Sequence, residues 1–557
     1  MNQRQKRLGE ILIEMGVIDE EAVNIALMEQ KATGAKLGEI LVKMGFATET
    51  AVSKALAVQY GIEMITMRDI SIQKAREVLK LLDDPKRFLE RKVIPIKVED
   101  RTVHLALGNP SLDIQIQVEK AVRTKGYDAV FYVIPQSEAD ILSHVVYQSS
   151  DFAEQFDQHL ERALAYERDG NPTNLAIPPL VDTLINFAIV SGASDVHIIG
   201  EAGVCRVFFR TDGVFKYVKA IPSSILPKIT ATIKQRSGMD AADRLRTQDG
   251  HMIHTMGSRS VNIRVSYLPL VDRAESLVLR ILDENRVILD IDKLGFYEDD
   301  LKTIKQALRH PHGLILVTGP TGSGKTTTLY SIIMYLSGFR YSILTIEDPV
   351  EYRLPFVRQC QVNRYVDVTP EKMLRAFLRH DPDVILVGEV RDKETAEIAV
   401  QAAETGHLVL TTLHTNDAPS AVSRLRDLGV SEVFIASAIR FVISQRIARR
   451  ICPFCKTPID TPPDALRELI GNEFTLKQVW RGTGCKECDK TGYKGITIVY
   501  EIYPFFRVPY EVLKEDFTSS RLAKIGSSYG YVTMKDTIIR KLNDGIISPD
   551  EAIRLWF

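Results

Sequence analysis

The sequence predicts a multidomain α/β protein, and three observations support that fold class. At 557 residues the chain has room for three or four domains, since one domain takes roughly 100–200 residues. Near the middle, at 314–327, an apolar run of strand length leads into a glycine-rich turn and a helix-forming segment. Near the start, the stretches 7–30 and 36–59 are similar to each other and predict a helical repeat.

Composition limits the classes of partner. The 71 basic and 72 acidic residues leave a net charge of −1, which gives no electrostatic reason to expect nucleic acid. No apolar run approaches the ~20 residues that span a bilayer, and the basic start lacks the apolar core of a signal peptide. We therefore expect a cytoplasmic protein that reaches the inner membrane only through a partner.

The N-terminal domain is predicted to span 1–147. RLGEIL in the first repeat returns as KLGEIL in the second, and each copy indicates a short helix, a turn at a glycine and a longer helix. Two α-hairpins packed on each other would bury the Leu and Ile positions. Strand-like segments at 92–96 and 103–107 then indicate a small α/β unit, and the polar stretch 148–175 indicates a partly helical linker.

A middle domain is predicted over 176–284, with a hinge at 285–299. A helix at 181–191 leads into strand-like segments in which apolar and polar residues alternate. Three of these segments carry an arginine, namely Arg210, Arg264 and Arg280. One interpretation is the solvated face of an antiparallel sheet. The other is that these adjacent strands deliver positive charge to a phosphate, as an arginine finger does.

The glycine-rich turn has the spacing G-x-x-x-x-G-K-T, which predicts a nucleotide-binding P-loop. Its glycines would let backbone N–H groups wrap around a phosphate, with the positive end of the next helix pointing there. Lys325 would reach the β- and γ-phosphates, and the Thr326 hydroxyl would ligate Mg²⁺. The expected nucleotide-binding residues are Gly319, Pro320, Thr321, Gly322, Ser323, Gly324, Lys325, Thr326 and Thr327.

Three further apolar strands carry polar side chains at their ends, in a motor domain predicted over 300–557. The strand that ends at Glu347 is expected beside the P-loop strand, where a carboxylate can position water and Mg²⁺. A second strand is followed by Glu389 in a Walker B pattern. A third is flanked by His407 and His414. Packing alone does not account for polar groups at all three strand ends.

Two C-x-x-C pairs are formed by Cys452, Cys455, Cys485 and Cys488. Two such turns can bring four thiolates around one metal, which predicts a closed, structural four-cysteine zinc site in an insertion at 449–500. A redox pair is the competing interpretation, and it lacks a thioredoxin-like context. The tail 507–557 has a helical pattern that ends in a hairpin near 537–556.

Together these motifs resemble the assembly ATPases of type II secretion and type IV pili over roughly 178–557. The shared segments are ASDVH (193–197), FRTDG (209–213), QDG (248–250), GPTGSGKTTTLY (319–330), TIEDPVEY (345–352), LRHDPDVILVGEVRD (378–392) and TGHLVLTTLHTNDA (405–418). The resemblance implies a RecA-like motor lobe with the four-cysteine zinc insertion, and a PAS-like α/β middle domain. It also implies a homo-hexamer that uses ATP and Mg²⁺ and works with an inner-membrane platform protein.

The same resemblance implies roles for single residues. Glu347 would orient the attacking water, Glu389 would hold Mg²⁺ through water, and His414 would sense the γ-phosphate. The middle-domain arginines Arg210, Arg264 and Arg280 would reach the nucleotide of the adjoining lobe or subunit. Arg375 and Arg379 are candidate contacts across subunits.

Each N-terminal repeat fits RLG-x(6)-G-x(13)-Q, a pattern similar to the cyclic-di-GMP-binding domain of some secretion and pilus ATPases. That resemblance implies ligand contacts from Arg7, Leu8, Gly9, Gln30, Lys36, Leu37, Gly38 and Gln59. Lys36 stands where arginine is usual in this pattern. The alternative is a purely structural or docking role.

The predicted function is ATP-driven assembly of a type IV pilus, with cyclic-di-GMP as a candidate regulator. The first alternative is the pseudopilus ATPase of type II secretion. The four-cysteine site and the long N-terminal region disfavour a retraction motor, and a DNA-translocating ATPase would need a basic pore or arm. An inactive motor that only senses a ligand conflicts with the intact P-loop and acidic residues.

Overall fold

The computed structural model divides the chain into two compact units, Met1–Arg286 and Val287–Phe557. The described residues are 6–79, 88, 91–147, 152–169, 175–201, 203–256, 259–282, 290–337, 341–471, 474–488, 490–513 and 517–556. The division falls within the predicted hinge, of which 285–289 lies outside the described residues.

The N-terminal repeats form two α-hairpins, as their pattern predicts. Asp19 caps the longer helix of the first copy by accepting a hydrogen bond from Ala22 N at 2.8 Å, and Gly34 ends it in the left-handed conformation. Thr48 and Gly61 do the same in the second copy. The helices are α1 (Leu8–Glu14), α2 (Glu20–Thr33), α3 (Leu37–Lys43) and α4 (Glu49–Tyr60). One core joins all four.

A small α/β unit follows, built on a four-stranded sheet of order β1-β4-β3-β2. Its strands are β1 (Glu63–Met64), β2 (Val93–Glu99), β3 (Thr102–Leu107) and β4 (Asp128–Val133). Its helices are α5 (Ile72–Leu79), α6 (Leu112–Arg123) and α7 (Gln136–Tyr147). Apolar clusters pack on the sheet and include the central strand β3.

The middle of the chain forms a six-stranded antiparallel sheet of order β7-β6-β5-β10-β9-β8. Its strands are β5 (Ala193–Glu201), β6 (Val204–Thr211), β7 (Val214–Pro222), β8 (Gln248–Met256), β9 (Arg259–Pro269) and β10 (Glu275–Leu282). Its helices are α8 (Phe152–Arg168), α9 (Ile177–Val190) and α10 (Leu226–Arg236). Helix α8 lies in the range predicted as a linker, yet its residues Phe156, Leu160 and Ala163 belong to the core of this sheet.

The second unit is built on a seven-stranded sheet of order β13-β12-β14-β15-β11-β16-β19. Its strands are β11 (Gly313–Thr318), β12 (Ile343–Glu347), β13 (Val357–Gln361), β14 (Val384–Val387), β15 (Leu408–Leu413), β16 (Ile439–Ile451) and β19 (Tyr493–Tyr503). The pairings are parallel except for β16 with β19. Strands β11, β12, β14 and β15 are buried along their whole length, which explains their continuous apolar runs.

Helices cover this sheet on both sides. They are α11 (Glu298–Ala307), α12 (Lys325–Leu336), α13 (Pro370–Phe377), α14 (Lys393–Glu404), α15 (Ala418–Asp427) and α16 (Glu432–Ala438). Two separate apolar cores result, one on each side of the sheet.

The prediction that the Glu347 strand lies beside the P-loop strand is wrong. Strands β14 and β15 lie between β12, which ends at Glu347, and the P-loop strand β11. The four strands run parallel, so their carboxyl ends still meet at one edge of the sheet. Glu347 and the P-loop therefore share an edge without being on neighbouring strands.

The remainder of the second unit carries the cysteines and the tail. Strands β17 (Lys456–Ile459) and β18 (Val479–Gly482) pair beside α17 (Asp464–Ile470). The tail contains α18 (Tyr510–Leu513), α19 (Ser519–Gly526), α20 (Met534–Asn543) and α21 (Pro549–Leu555). The predicted terminal helical hairpin is α20 with α21. Throughout the described ranges, each helix is too short or too polar to span a bilayer.

Candidate nucleotide and metal sites

The P-loop follows β11 with the backbone that its glycines require. Gly319, Gly322 and Gly324 have φ values of +140°, +77° and +87°. A Cβ on Gly319 would lie 2.4 Å from the Gln445 carbonyl oxygen and 2.7 Å from Ser323 Oγ. The strand-to-helix turn therefore accepts only glycine at these points, and it places the start of α12 at the loop.

Two polar groups of the loop are suited to a phosphate. Lys325 Nζ donates to the loop's own carbonyls, Gly319 O at 2.9 Å and Pro320 O at 3.0 Å. The Ser323 hydroxyl is buried and has no hydrogen-bond partner among the described residues. Burial lowers the pKa of Lys325, and the charge of Glu389 partly offsets this shift. A bound phosphate would give both groups an acceptor.

Gln445 fastens the P-loop to β16, and sequence reasoning missed it. Its Nε2 donates to Ser323 O at 2.8 Å, and its Oε1 accepts from Thr328 Oγ1 at 2.8 Å. The side chain is fully buried. The available signal was a glutamine two residues after the apolar run 441–443, where a buried amide would need partners.

The structure brings Lys325, Glu389 and His414 together at the carboxyl edge of the sheet. His414 Nε2 lies 3.0 Å from Glu389 Oε1. Arg391 Nε donates to Glu389 Oε2 at 2.8 Å, and this bond raises the pKa of Arg391. The Walker B carboxylate is therefore held by two side chains, one of which, Arg391, the sequence analysis did not single out.

Glu347 is buried at the end of β12 and is held by three side-chain donors. Thr345 Oγ1 donates to its Oε1 at 2.6 Å, and Gln359 Nε2 donates to the same oxygen at 3.3 Å. The Tyr330 hydroxyl donates to Oε2. A Cβ on Gly388 would lie 3.3 Å from Glu347 Cα, so the backbone before Glu389 passes close to Glu347.

The three middle-domain arginines lie in one row across the outer face of their sheet. Arg280 on β10 is in register with Arg264 on β9 and with Asp195 on β5, and Asp195 is in register with Arg210 on β6. The row faces away from the core, because residues next to these arginines along the strands belong to the core, namely Phe209, Ile263, Val265, Leu279 and Ile281. The expectation of three adjacent strands is wrong, because β5 lies between β6 and β10.

Asp195 lies in this row between Arg280 and Arg210. Arg280 Nε donates to Asp195 Oδ1 at 2.9 Å, and Asp195 itself is buried. Arg210 Nη1 donates to Gly213 O at 3.1 Å. The other predicted arginines, Arg375 and Arg379, are exposed at α13 and just beyond it, in the second unit.

The four cysteines of the insertion come together. Their sulfur atoms all lie within 4.8 Å of one another, with 3.8 Å from Cys452 to Cys485 and from Cys455 to Cys488. Four thiolates placed at the usual Zn–S distance of about 2.3 Å on a tetrahedron stand about 3.8 Å apart. All six cysteines of the chain are free. The donor set therefore fits a zinc ion.

Backbone donors prepare one of these sulfurs for a metal. Burial alone would raise the pKa of Cys488. The N–H groups of Cys485 and Gly492, each 3.2 Å from its sulfur, and the neighbouring thiols of Cys485 and Cys455 together lower it to about 7. Burial raises the pKa of Cys452 to about 12. Thiolate ligands form when a metal displaces these protons.

The N-terminal repeats hold each other through their glutamines. Gln30 Nε2 donates to Ala35 O at 2.9 Å, just before the second motif, and Gln59 Nε2 donates to Lys6 O at 3.1 Å, just before the first. The motif glycines allow close packing, since Cβ atoms on Gly9 and Gly38 would lie 3.0 Å from a Val23 methyl and 2.8 Å from a Val52 methyl. Leu8 and Leu37 are half-buried, and Arg7 and Lys36 are exposed.

The fold and this nucleotide site define a P-loop ATPase. A family model described as type II/IV secretion system protein matches residues 172–554. The type IV pilus assembly ATPase PilB of Myxococcus xanthus is 33% identical, over 98% of this chain and 98% of that protein. The type II secretion system protein E of Aeromonas hydrophila is 44% identical, over 58% of this chain and 64% of that protein. The chain belongs to the type II/IV secretion system protein family and is an ATP-hydrolysing enzyme of the pilus and secretion class.

A solved structure shares the fold. The Legionella pneumophila ATPase DotB superposes with a TM-score of 0.52 at 22% identity, over 67% of this chain and 94% of that chain. This likeness supports the multidomain α/β architecture of the motor region.

Proposed function

We propose that this chain is the motor that drives type IV pilus assembly. The proposal rests on how much of the chain each relative matches. The pilus assembly ATPase of M. xanthus matches over 98% of both chains, a span that includes the N-terminal repeats and the α/β unit. The type II secretion relative of A. hydrophila matches over 58% of this chain. A secretion motor is the second candidate, because that shorter match has the higher identity, 44%.

Hydrolysis begins when the P-loop binds the phosphates of ATP. Lys325 exchanges the carbonyls of Gly319 and Pro320 for phosphate oxygens, and the backbone N–H groups of the loop add further positive ends. The backbone donors are already in place before ATP binds, so they stabilise the charge that develops on the transferring phosphoryl group at little reorganisation cost.

Four further side chains are assigned the remaining roles in hydrolysis. Glu347 orients the attacking water, and His414, in contact with Glu389, senses the γ-phosphate. Thr326 and Glu389 are the residues that would hold Mg²⁺, which supplies charge neutralisation at the phosphates. The clustering of Lys325, Glu389 and His414 at one sheet edge supports this assignment.

The arginine row supports a site completed from outside the motor lobe. Arg210, Arg264 and Arg280 face away from the core of the middle sheet, where a nucleotide held by the adjoining lobe or by a second copy can accept their charge. We propose a homo-hexamer whose lobes change their relative angle with nucleotide state and so move an inner-membrane platform protein.

The cysteine cluster is proposed to hold one structural zinc ion. All four ligand positions are sulfurs, which leaves no open position for a catalytic water. Its role is then to fix the ends of β16 and β19 in the motor unit. The middle domain is proposed to be PAS-like, on the strength of the family resemblance.

Cyclic-di-GMP is proposed as the regulator that the N-terminal repeats bind. Arg7 and Lys36 occupy equivalent exposed positions before α1 and α3, where two cationic side chains can meet two phosphates. Calorimetry on the full chain should detect binding at micromolar ligand, weakened in Arg7→Ala and Lys36→Ala and unchanged in Lys43→Ala, an exposed lysine on α3. Absence of binding would favour the docking role.

The motor function is tested by deleting the gene and complementing it. We expect loss of surface pili with secretion intact, restored by the wild-type chain and not by Lys325→Ala, which removes the phosphate-binding ammonium group. Loss of secretion with pili intact would favour the second candidate. A Lys325→Ala protein that still hydrolyses ATP would refute the proposed site.

A further inference from the structure

We infer that Tyr330 is a positioning residue for ATP hydrolysis, which holds Glu347 by one oxygen and ties it to the phosphate-binding helix. This inference rests on the proposed role of Glu347. Tyr330 lies on α12, the helix that begins at Lys325, and it is fully buried. The hydroxyl of Tyr330 thus joins the helix of the P-loop to a carboxylate three strands away in the sheet.

The direction of the hydrogen bond is set by a second contact. The Tyr330 oxygen accepts a hydrogen bond from Glu351 N at 3.3 Å, so its own proton points to Glu347 Oε2. Burial, with the neighbouring charge of Glu347, raises the pKa of Tyr330, so the phenol keeps its proton at neutral pH. Tyr330 is therefore a fixed donor.

The two oxygens of Glu347 are used unequally. Oε1 accepts from Thr345 at 2.6 Å and from Gln359 at 3.3 Å. Gln359 is itself fixed, since its Nε2 also donates to Tyr352 O at 3.0 Å and its Oε1 accepts from Leu354 N at 2.7 Å.

An ionised carboxylate offers about two lone-pair positions on each oxygen. Among the described residues Oε1 has two donors, while Oε2 has only Tyr330. The geometry therefore assigns Oε2 as the oxygen of Glu347 that orients the attacking water, with Tyr330 fixing the direction of its free lone pair.

The helix gives this contact a second consequence. The first residues of α12 bind phosphate in the proposed mechanism, and Tyr330 lies further along the same helix. A displacement of α12 on phosphate binding or release would move the Tyr330 hydroxyl and with it Oε2. The water-orienting carboxylate is then placed according to the state of the P-loop.

The test is Tyr330→Phe in the full chain, which removes one oxygen atom and keeps the ring. We expect the kcat for ATP hydrolysis to fall by about 10- to 100-fold, the size expected for losing a hydrogen bond to a charged group. The KM for ATP should stay within about twofold, because the P-loop is untouched. Tyr335→Phe, on the exposed side of the same helix, is the matched control and should leave kcat unchanged.

A double-mutant cycle separates positioning from general structure. In a Glu347→Gln background, Tyr330→Phe should cause little further loss, because both changes act on one interaction. Thr345→Val should also lower kcat, and Thr345→Ser, which keeps the hydroxyl, should lose less.

Four outcomes would count against the inference or its basis. A wild-type kcat in Tyr330→Phe, or an equal loss in the Glu347→Gln background, would overturn the role of Tyr330. Undiminished hydrolysis in Glu347→Gln would instead refute the proposed role of Glu347. If the Y330F protein fails to fold, replacement of tyrosine by fluorotyrosine tests the same hydroxyl, and an unshifted pH–rate profile would then count against the inference.

Discussion

At the scale of single residues, Gln445 supports the P-loop through hydrogen bonds to the loop and to the helix that follows it. Its amide satisfies the Ser323 carbonyl and the Thr328 hydroxyl at once, so it fixes both the loop and the first turns of α12. The P-loop is therefore fixed by the hydrogen bond from Gln445 on β16 as well as by the conformations of its own glycines.

We predict that Gln445→Ala weakens both folding and nucleotide binding. Two buried hydrogen bonds are lost, each worth about 1–3 kcal/mol when one partner is left unsatisfied. The free energy of unfolding in denaturant should fall by about 2–4 kcal/mol, and the KM for ATP should rise. Gln401→Ala, an exposed glutamine on α14, should change neither quantity. Equal effects of the two variants would contradict the role of Gln445.

A second prediction at this scale concerns Glu501 on β19. Burial raises its pKa to about 7, against hydrogen bonds from Ala418 N and Tyr531 that lower it and the nearby charge of Asp417 that raises it further. The folded chain therefore keeps this proton at pH values where the unfolded chain has lost it. Stability from this group is then present below the unfolded pKa and falls as pH rises from about 4.5 to about 7.

The comparison with Glu501→Gln isolates this effect. Between pH 5 and pH 8 the wild type should lose about 2 kcal/mol of unfolding free energy relative to the variant. Chemical denaturation at several pH values measures the difference. A pH-independent difference would show that Glu501 does not titrate in this range.

At the scale of elements, β16 is the strand that serves two sites. Gln445 in its middle holds the P-loop, and the chain reaches Cys452 immediately after its end. The antiparallel partner β19 begins soon after Cys488, so the cysteine cluster closes the end of this strand pair.

We predict one zinc ion per chain, whose loss destabilises the motor unit. Cys485→Ser removes a ligand and should abolish zinc in elemental analysis. It should also lower the Tm by about 10 °C, since several kcal/mol of metal-coupled folding are lost. Cys360→Ser, at a lone cysteine, should keep both the metal and the Tm. Full zinc content in Cys485→Ser would contradict the four-cysteine assignment.

The elements also show which information is local in sequence. Strands β11, β14 and β15 were predictable because each is a continuous apolar run, which is visible within a few neighbouring residues of the sequence. The position of β12 was not, because strand order depends on crossovers that no local pattern specifies. Helix α8 carries Phe156, Leu160 and Ala163 at helical spacing, a weak apolar stripe that its polar surroundings obscured.

The site follows the same rule. The glycines and Lys325 that we propose to bind phosphate lie in one contiguous motif, so their spacing was enough to single them out. Tyr330, Gln359 and Gln445 contribute through contacts between distant segments, and nothing in their local sequence names the partner. The proposed site acids Glu347 and Glu389 were singled out because they lie at or just after the ends of apolar strands. The side chains that hold them carry no such local signal.

At the scale of the whole molecule, an arginine finger that reaches the nucleotide of a neighbouring subunit would make ATP hydrolysis depend on contact between two chains. Arg264→Ala should lower kcat by about 100-fold or more, as the loss of a transition-state cation does. Arg206→Ala, exposed on β6 and paired with Glu201, should have little effect.

Mixing inactive variants tests whether the arginine acts between subunits. Arg264→Ala chains mixed with Lys325→Ala chains should regain part of the hydrolysis rate, because one supplies an intact P-loop and the other an intact arginine. Recovery above the sum of the separate rates is the expected result. No recovery in mixed oligomers would indicate that Arg264 acts within its own chain.

The glutamine contacts of the N-terminal repeats bring the two ends of this helical segment together. Gln59, at the end of the second copy, donates to Lys6 O, at the entry to the first. Gln30 donates to Ala35 O at the junction between the copies. Because the ends lie side by side, a circularly permuted segment that is joined at the ends and opened at this junction would need only a short connection.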